Sequence, residues 1–224
     1  MKRLSLFIMA LLPLLAIANP ASQVAWTPET LNLVRAGNNE AGKKLAESCQ
    51  SCHGAKGEGK AAEKQDDEIL PAIPALAGQT ANYLFKQLRD YADASRIDMT
   101  MNGIAKGLTE QQTADLAVYF SSLPLAQTGK VSSQNLDKAK ALVEDGDGKR
   151  ILPQCFVCHG SSGRGEKMDS PALAGQHADT ISRALQAYKT GSRHNDIYSR
   201  MRLIAQQLTD EEIEQLGQYY QQLK

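Results

Sequence analysis

Two short segments of this chain combine cysteine and histidine at the same spacing. The first is CQSCHG, from Cys49 to Gly54, and the second is CFVCHG, from Cys155 to Gly160. On a helix, residues at i, i+3 and i+4 project from neighbouring points on one face, so the two thiols and the imidazole would face one ligand. C-x-x-C-H is the attachment sequence of a c-type haem, whose vinyl groups bind the thiols while the histidine binds iron. The segments therefore predict two covalently bound haem c groups, held by Cys49, Cys52 and His53 and by Cys155, Cys158 and His159.

Three other uses of paired cysteines explain these segments less well. Two disulfides in an exported protein would use four cysteines, but they would not require a histidine after each pair. A thioredoxin-like redox pair needs a βαβ context, and the pattern of this chain is helical. Two C-x-x-C pairs could bind zinc, although each pair here lies in its own repeat.

A haem iron that only carries electrons needs a sixth ligand, and a methionine sulfur is the common partner of histidine. Met101 and Met201 occupy equivalent positions of the repeat, each three residues before an Ile-Ala pair. Met99 and Met168 are the rival candidates, but neither has a counterpart in the other copy. We therefore predict Met101 and Met201 as axial ligands. The two remaining histidines, His177 and His194, are expected at the surface or next to the ligands.

The whole chain is a repeat of one helical unit. PALAGQ occurs at Pro74–Gln79 and again at Pro171–Gln176, and MNGIAKGLT aligns with MRLIAQQLT. Apolar residues at helical spacing, with threonine caps before the last helix of each copy, predict an all-α fold without strands. The first copy has nine extra residues between its histidine and its proline. Pro153 predicts a break or kink in the first helix of the second copy.

Residues 1–18 have the pattern of a secretory signal peptide, because Lys2 and Arg3 precede an apolar run from Leu4 to Ala18. An uncleaved anchor is the alternative, but the run is short for a membrane span and contains Pro13. Cleavage would leave 23 basic and 25 acidic residues, a balance that argues against nucleic acid as a partner. The expected organisation is a signal peptide at 1–18, an N-terminal domain at 19–126, a linker at 127–136 and a C-terminal domain at 137–224.

Four features occur together in this chain: two C-x-x-C-H-G segments, two P-x-L-A-G-Q segments, the segment GSRHND, and M-x-x-I-A before a capped last helix. In this combination the chain resembles the cytochrome c4 family. The resemblance covers nearly all of the chain after the signal peptide. It implies two tandem class I cytochrome c domains related by pseudo-twofold symmetry. It also implies that the carbonyl groups of Pro74 and Pro171 accept a hydrogen bond from the haem-binding histidine of the same domain, which fixes the ring.

A protein with two haems of filled coordination is expected to be a one-electron carrier and not an enzyme. The resemblance implies a periplasmic carrier between a quinol-oxidising cytochrome bc1-type complex and a terminal oxidase or reductase, with peripheral association at the membrane. The first alternative is the cytochrome subunit of a periplasmic dehydrogenase. The second is a di-haem peroxidase, which would need one iron with an open position.

Charges near the two predicted methionine ligands suggest an order for the haem potentials. Carboxylates favour ferric haem and guanidinium groups favour ferrous haem. The first copy carries Asp66, Asp67 and Glu68 in its insert, and Arg96, Asp98 and Lys106 around Met101. The second copy lacks that insert and has Arg193, Arg200 and Arg202 around Met201, against Asp196 alone. The N-terminal haem is therefore expected to have the lower potential.

Overall fold

The computed structural model describes residues 21–129, 133–166 and 168–224. The expected signal peptide lies outside these residues, as do residues 130–132 of the expected linker. The first group of helices is α1 (Pro28–Arg35), α2 (Asn39–Ala46), α3 (Gln50–His53), α4 (Ala81–Ala92), α5 (Met99–Lys106) and α6 (Glu110–Ser122). The second group is α7 (Asp137–Glu144), α8 (Phe156–His159), α9 (Ala178–Thr190), α10 (Arg200–Ala205) and α11 (Asp210–Gln222). The predicted all-α fold is confirmed.

The last helix is the centre of the packing in each group. α6 contacts α1, α2 and α4, while α5 packs against α4. α11 contacts α7 and α9, while α10 packs against α9. Each group encloses its own core. The buried side chains include Val34, Leu84, Phe85, Leu116 and Phe120 in the first core and Leu142, Leu152, Ile181, Leu185, Tyr188, Leu208, Ile213, Leu216 and Tyr220 in the second. The two copies therefore bury separate cores, as two domains do.

The last helix starts in the same way in both copies. The hydroxyl groups of Thr109 and Thr209 accept hydrogen bonds from the backbone N–H groups of Gln112 and Glu212. The side chains of Gln112 and Glu212 in turn accept from the backbone N–H groups of the two threonines. Such a reciprocal cap satisfies two backbone donors and contributes about 1 kcal/mol to helix stability. It fixes the register of the helix against which the others pack.

The first helical segment is broken in the second copy, as predicted, but the break begins well before Pro153. In the first copy, α2 continues through a 3₁₀ turn at Glu47–Cys49 into α3. In the second copy, α7 ends at Glu144 and α8 begins only at Phe156. A 3₁₀ turn at Gly148–Arg150 and a β-bridge between Asp147 and Leu152 fill the gap. The break is therefore a loop of its own and not a kink.

The insert of the first copy forms a β-hairpin that the sequence did not predict. β1 (Glu63–Gln65) and β2 (Glu68–Leu70) are antiparallel, and Asp66 occupies the turn with a φ of 53°. All six strand residues are exposed. Strands are recognised from alternating buried and exposed side chains, and this hairpin buries neither face. The expectation that the chain has no strand is therefore wrong for this segment.

We predict that Gly42→Ala destabilises the first domain. Gly42 lies where α2 crosses α6, and a Cβ atom there would overlap the carbonyl group of Asp115. Overpacking of this kind costs about 1–3 kcal/mol, whereas alanine's helix propensity alone would stabilise α2 by about 1 kcal/mol. The free energy of unfolding in guanidinium, followed by circular dichroism, measures the balance.

Gly103→Ala in α5 is the matched control. A Cβ atom at Gly103 meets no other atom within 4 Å, and Gly103 lies about 200° around the helix from Met101. This substitution should stabilise the protein by up to about 1 kcal/mol. If both alanine variants were stabilised, the close crossing of α2 and α6 would not constrain the domain.

Candidate functional site

The cysteines and histidines of each C-x-x-C-H segment lie on one short helical stretch. Cys49 ends the 3₁₀ turn before α3, and α3 carries Cys52 and His53. Cys155 is the residue directly before α8, and α8 carries Cys158 and His159. None of the four cysteines is joined to another in a disulfide, so the disulfide alternative has no bond to support it. Both helices end at a glycine with positive φ, 87° at Gly54 and 83° at Gly160, a conformation that lets the chain turn away at once.

Each histidine donates a hydrogen bond to a proline carbonyl. The distance from Nδ1 to the carbonyl oxygen is 2.9 Å for His53 and Pro74 and 3.0 Å for His159 and Pro171. A carbonyl oxygen only accepts, so the proton of the neutral ring is on Nδ1 and the lone pair is on Nε2. Burial lowers the pKa of both histidines, against the opposing effect of the proline carbonyl. Each ring is therefore held neutral with Nε2 available as a ligand.

The methionines of the first copy differ sharply in exposure. Met99, in the first turn of α5, is 97% exposed, whereas Met101 is partly buried. Asp98 caps α5 by accepting from the N–H of Met101 at 2.9 Å. Burial has the largest effect on the pKa of His53 and lowers it, whereas the negative charge of Asp98 raises this pKa. The start of α5 therefore lies within electrostatic reach of His53.

The methionines of the second copy show the same contrast. Met201 lies in α10 and packs against the second core. Met168 is 51% exposed and lies in a loop with a φ of 39°. Met201, and not Met168, therefore packs against the core that Cys155 and Phe156 also contact.

The donor set fits a c-type haem. Each segment offers two cysteine sulfurs outside any disulfide and an imidazole with an unprotonated Nε2. Within residues 21–129, 133–166 and 168–224, no three His, Cys, Asp or Glu side chains come together as a site for a metal ion. The four thiols thus do not form the shared cluster that the zinc alternative requires.

The two domains meet through a reciprocal pair of buried glutamines. Gln79 of the first domain donates to the carbonyl oxygen of Ala172 at 3.0 Å and accepts from its N–H at 2.7 Å. Gln176 of the second domain makes the same two bonds to Ala75, at 3.0 and 2.9 Å. Both glutamines end a PALAGQ segment, so the contact follows the pseudo-twofold relation of the repeat.

A buried charged network joins the domains on another side of the interface. Lys86 and Asp90, one turn apart on α4, form an ion pair at 2.5 Å. Lys86 also donates to the carbonyl oxygen of Asn195, whose side-chain amide donates to Asp90 at 2.6 Å. These three residues are at most 1% exposed. A fully buried pair needs such partners, because an uncompensated charge in the interior is strongly destabilising.

Two arginines at equivalent positions of the repeat converge on one amide oxygen. Gln87 Oε1 accepts from Arg96 at 2.8 Å and from Arg193 at 2.9 Å. Burial raises the pKa of the nearby Tyr83 hydroxyl, but Arg193 and Arg96 outweigh burial and lower this pKa to about 8. Two guanidinium groups, one from each domain, therefore lie together at the interface.

The two other histidines are not at the surface. His177 and His194 are 6% and 8% exposed, so the surface part of the sequence-based expectation is wrong. His177 precedes α9, and its ring reaches the backbone of Glu58 in the first domain. Its burial reflects the domain interface, which the sequence of one copy does not reveal.

Sequence reasoning did not assign a role to the interface residues. Gln79 and Gln176 are polar residues that recur at the end of an otherwise apolar repeated segment, and this is the signal that could have identified them. Lys86 and Asp90 could have been noticed as an i, i+4 pair next to the apolar stripe of α4. Asn195 lies in the GSRHND segment, but only the folded interface brings it to α4.

Comparison with known proteins agrees with this geometry. The family model for cytochrome c matches residues 39–124 and 146–224, one match for each copy. Cytochrome c4 of Pseudomonas aeruginosa is 34% identical over 190 residues, which cover 84% of this chain and 90% of the relative. The thiosulfate dehydrogenase electron acceptor of Thiomonas intermedia is 36% identical over 178 residues, which cover 78% of this chain and 77% of the relative.

A solved structure has the same two-domain fold. The crystal structure of reduced recombinant cytochrome c4 from Pseudomonas stutzeri matches with a TM-score of 0.75 and 32% identity, covering 84% of this chain and 100% of the other. The predicted pair of tandem cytochrome c domains is thereby confirmed. The chain belongs to the cytochrome c4 family, whose members are di-haem electron carriers, and it binds two covalently attached haem c groups.

Proposed function

We propose that this protein is a periplasmic one-electron carrier in which His53 and Met101 bind the iron of the first haem and His159 and Met201 bind that of the second. The observation that carries this proposal is the pair of histidine–proline hydrogen bonds, which leave Nε2 of each ring free for iron. The partial burial of Met101 and Met201, against the exposure of Met99 and Met168, supports the choice of sulfur ligands.

The proposed ligand sets leave no position for a substrate. Haem c supplies an iron that changes between two oxidation states with little rearrangement. The chain's part would be to hold each histidine neutral and fixed, and to supply the sulfur atoms of Met101 and Met201 as ligands of iron. The related cytochromes c4 are electron carriers rather than enzymes. A di-haem peroxidase would instead require one iron with a displaceable ligand.

The location and donor of the carrier are part of the proposal. The N-terminal signal-peptide pattern supports export to the periplasm. Within the described ranges, every helix is too short or too polar to cross a bilayer. Through the family resemblance we propose a cytochrome bc1-type complex as donor, met by peripheral contact at the membrane, and a terminal oxidase or reductase as acceptor.

One comparison favours a second donor. The relative from Thiomonas intermedia is named as the electron acceptor of a thiosulfate dehydrogenase. A periplasmic dehydrogenase is therefore our second candidate, with this chain as its separate or bound cytochrome partner. The chemistry inside this chain is the same in both cases, and only the docking surface differs.

The lower potential of the N-terminal haem stays a prediction. The structure reduces the difference that we expect between the two haem potentials, compared with the expectation from the sequence. Arg202 is paired with Asp196 at 2.7 Å, which offsets its charge. Arg193 lies at the domain interface and meets Arg96 at Gln87, so its charge acts on both domains. The acidic hairpin is exposed, where water and salt screen its carboxylates.

We predict that Met101→Ala removes about half of the far-red sulfur-to-iron absorption band of the oxidised protein, because one of two methionine ligands is lost. The reduced variant should bind carbon monoxide at the opened position, while the parent protein should not. Met201→Ala should have the same effect on the other haem. Met99→Ala is the control and should leave the band and the carbon monoxide response unchanged. The ligand would instead be Met99 if the effects of the Met99 and Met101 substitutions were exchanged.

We predict that the oxidised protein is reduced by a quinol-oxidising complex at a rate that depends on ionic strength, because charge steers small transient redox interfaces. Stopped-flow absorption at several salt concentrations measures this rate. The parallel experiment supplies a thiosulfate dehydrogenase and thiosulfate as the donor. If the dehydrogenase reduced the protein and the quinol-oxidising complex did not, the second candidate would replace the bc1-type complex as the proposed donor.

A further inference from the structure

The proline carbonyl that accepts from each histidine belongs to a peptide unit that is bonded at both ends. His53 Nδ1 donates to the carbonyl oxygen of Pro74. The N–H of that same peptide unit, carried by Ala75, donates to Gln176 Oε1 of the other domain. The corresponding residues of the second copy are His159, Pro171, Ala172 and Gln79. Each histidine is thus connected through one amide group to a side chain of the opposite domain.

The orientation of both glutamine side chains is determined by their neighbours. Gln176 Oε1 also accepts from the backbone N–H of His177, at 3.1 Å, and its Nε2 donates to the carbonyl oxygen of Ala75. Gln79 Oε1 likewise accepts from the N–H of Thr80, at 2.8 Å. An amide rotated by 180° would face these backbone N–H groups with its own NH₂ group. Oxygen is therefore the atom that faces the peptide unit next to each proline.

Hydrogen bonds at the two ends of an amide strengthen each other. An acceptor on the N–H polarises the amide and makes its carbonyl oxygen a better acceptor. A better acceptor for Nδ1–H increases the basicity of the imidazole as a metal ligand. A more basic ligand favours ferric over ferrous iron and lowers the reduction potential.

We propose that Gln176 and Gln79 are positioning residues that act across the domain interface, each lowering the potential of the haem in the opposite domain through the Pro74–Ala75 and Pro171–Ala172 peptide units. The inference rests on the proposed ligation of iron by His53 and His159. Both glutamines are buried, with 9% and 6% exposure, so water does not replace them as acceptors. The docking of the domains and the tuning of the haems are thus properties of the same contact.

The test measures the potential of each haem separately in the full-length protein with both haems attached. Haem methyl signals in NMR spectra distinguish the two irons during a redox titration. Gln176→Leu should raise the potential of the first haem and leave that of the second at the parent value. Gln79→Leu should raise only the second. Equal shifts at both haems, or a shift confined to the haem of the substituted domain, would overturn the proposal.

A conservative pair of variants separates the hydrogen bond from packing. Gln176→Glu keeps an oxygen facing the N–H of Ala75 in either protonation state, so the potential of the first haem should not rise above the parent value. A rise as large as that of the leucine variant would refute the relay. Gln176→Met removes the acceptor with a flexible side chain that fills the same space, and it provides the test if the leucine variant does not fold.

Thr80→Val is the interface control. It removes the hydrogen bond from the Thr80 hydroxyl to the carbonyl oxygen of Ser170, at 3.2 Å, without a change in charge or volume. The interface loses one bond, but the Pro171–Ala172 unit keeps its glutamine. Both potentials should stay at the parent values, and a shift like that of Gln79→Leu would attribute the effect to general loosening of the interface.

The proposed function and this inference fail in different ways. A parent protein without the far-red sulfur-to-iron band would refute the proposed ligands before any glutamine is replaced. A parent protein with that band, whose glutamine variants keep both potentials unchanged, would refute the relay alone.

Discussion

The hydrogen bond from each motif histidine to a proline carbonyl sets the position of the imidazole ring. Backbone hydrogen bonds in the surrounding loops hold the histidine at one end of this bond and the proline segment at the other. The carbonyl oxygen of His53 accepts from Gly59 at 2.7 Å, and that of Gly57 accepts from Leu76 and Ala77. The second copy repeats these bonds with His159, Gly165, Gly163, Leu173 and Ala174. The loop between histidine and proline is nine residues longer in the first copy, yet both ends close in the same way, because the extra residues form a hairpin outside the bonded segment.

The same loops form the interface between the domains, so the site and the domain contact depend on each other. Gln79 and Gln176 bind the backbone directly after the prolines of the opposite domain. Lys86, Asp90 and Asn195 add a buried ionic contact that is not symmetric, because the counterparts of Lys86 and Asp90 on α9 are Arg183 and Ala187. Arg183 instead donates to the carbonyl oxygen of Ala72, at the end of the first-domain insert. The two halves thus share a fold but provide different environments for their haems.

The repeat made much of this structure predictable from the sequence. The paired segments identified the haem-binding cysteines, and the threonine caps located the start of α6 and α11. The hairpin was missed because none of its residues is buried, so it has no hydrophobic period to read. The burial of His177 was missed because it arises between domains, where local patterns carry no information. The domain boundaries stay predictions, since residues 130–132 of the linker lie outside the described structure.

The most direct test of this account is the protonation of the two motif histidines in the fully reduced protein, which is diamagnetic. NMR with ¹⁵N-labelled histidine distinguishes Nδ1 from Nε2 in His53 and His159. The account predicts that both rings carry a slowly exchanging proton on Nδ1 and none on Nε2, because Nδ1 donates to the proline carbonyl and Nε2 binds iron. A proton on Nε2 of either ring would contradict the proposed ligation in that domain.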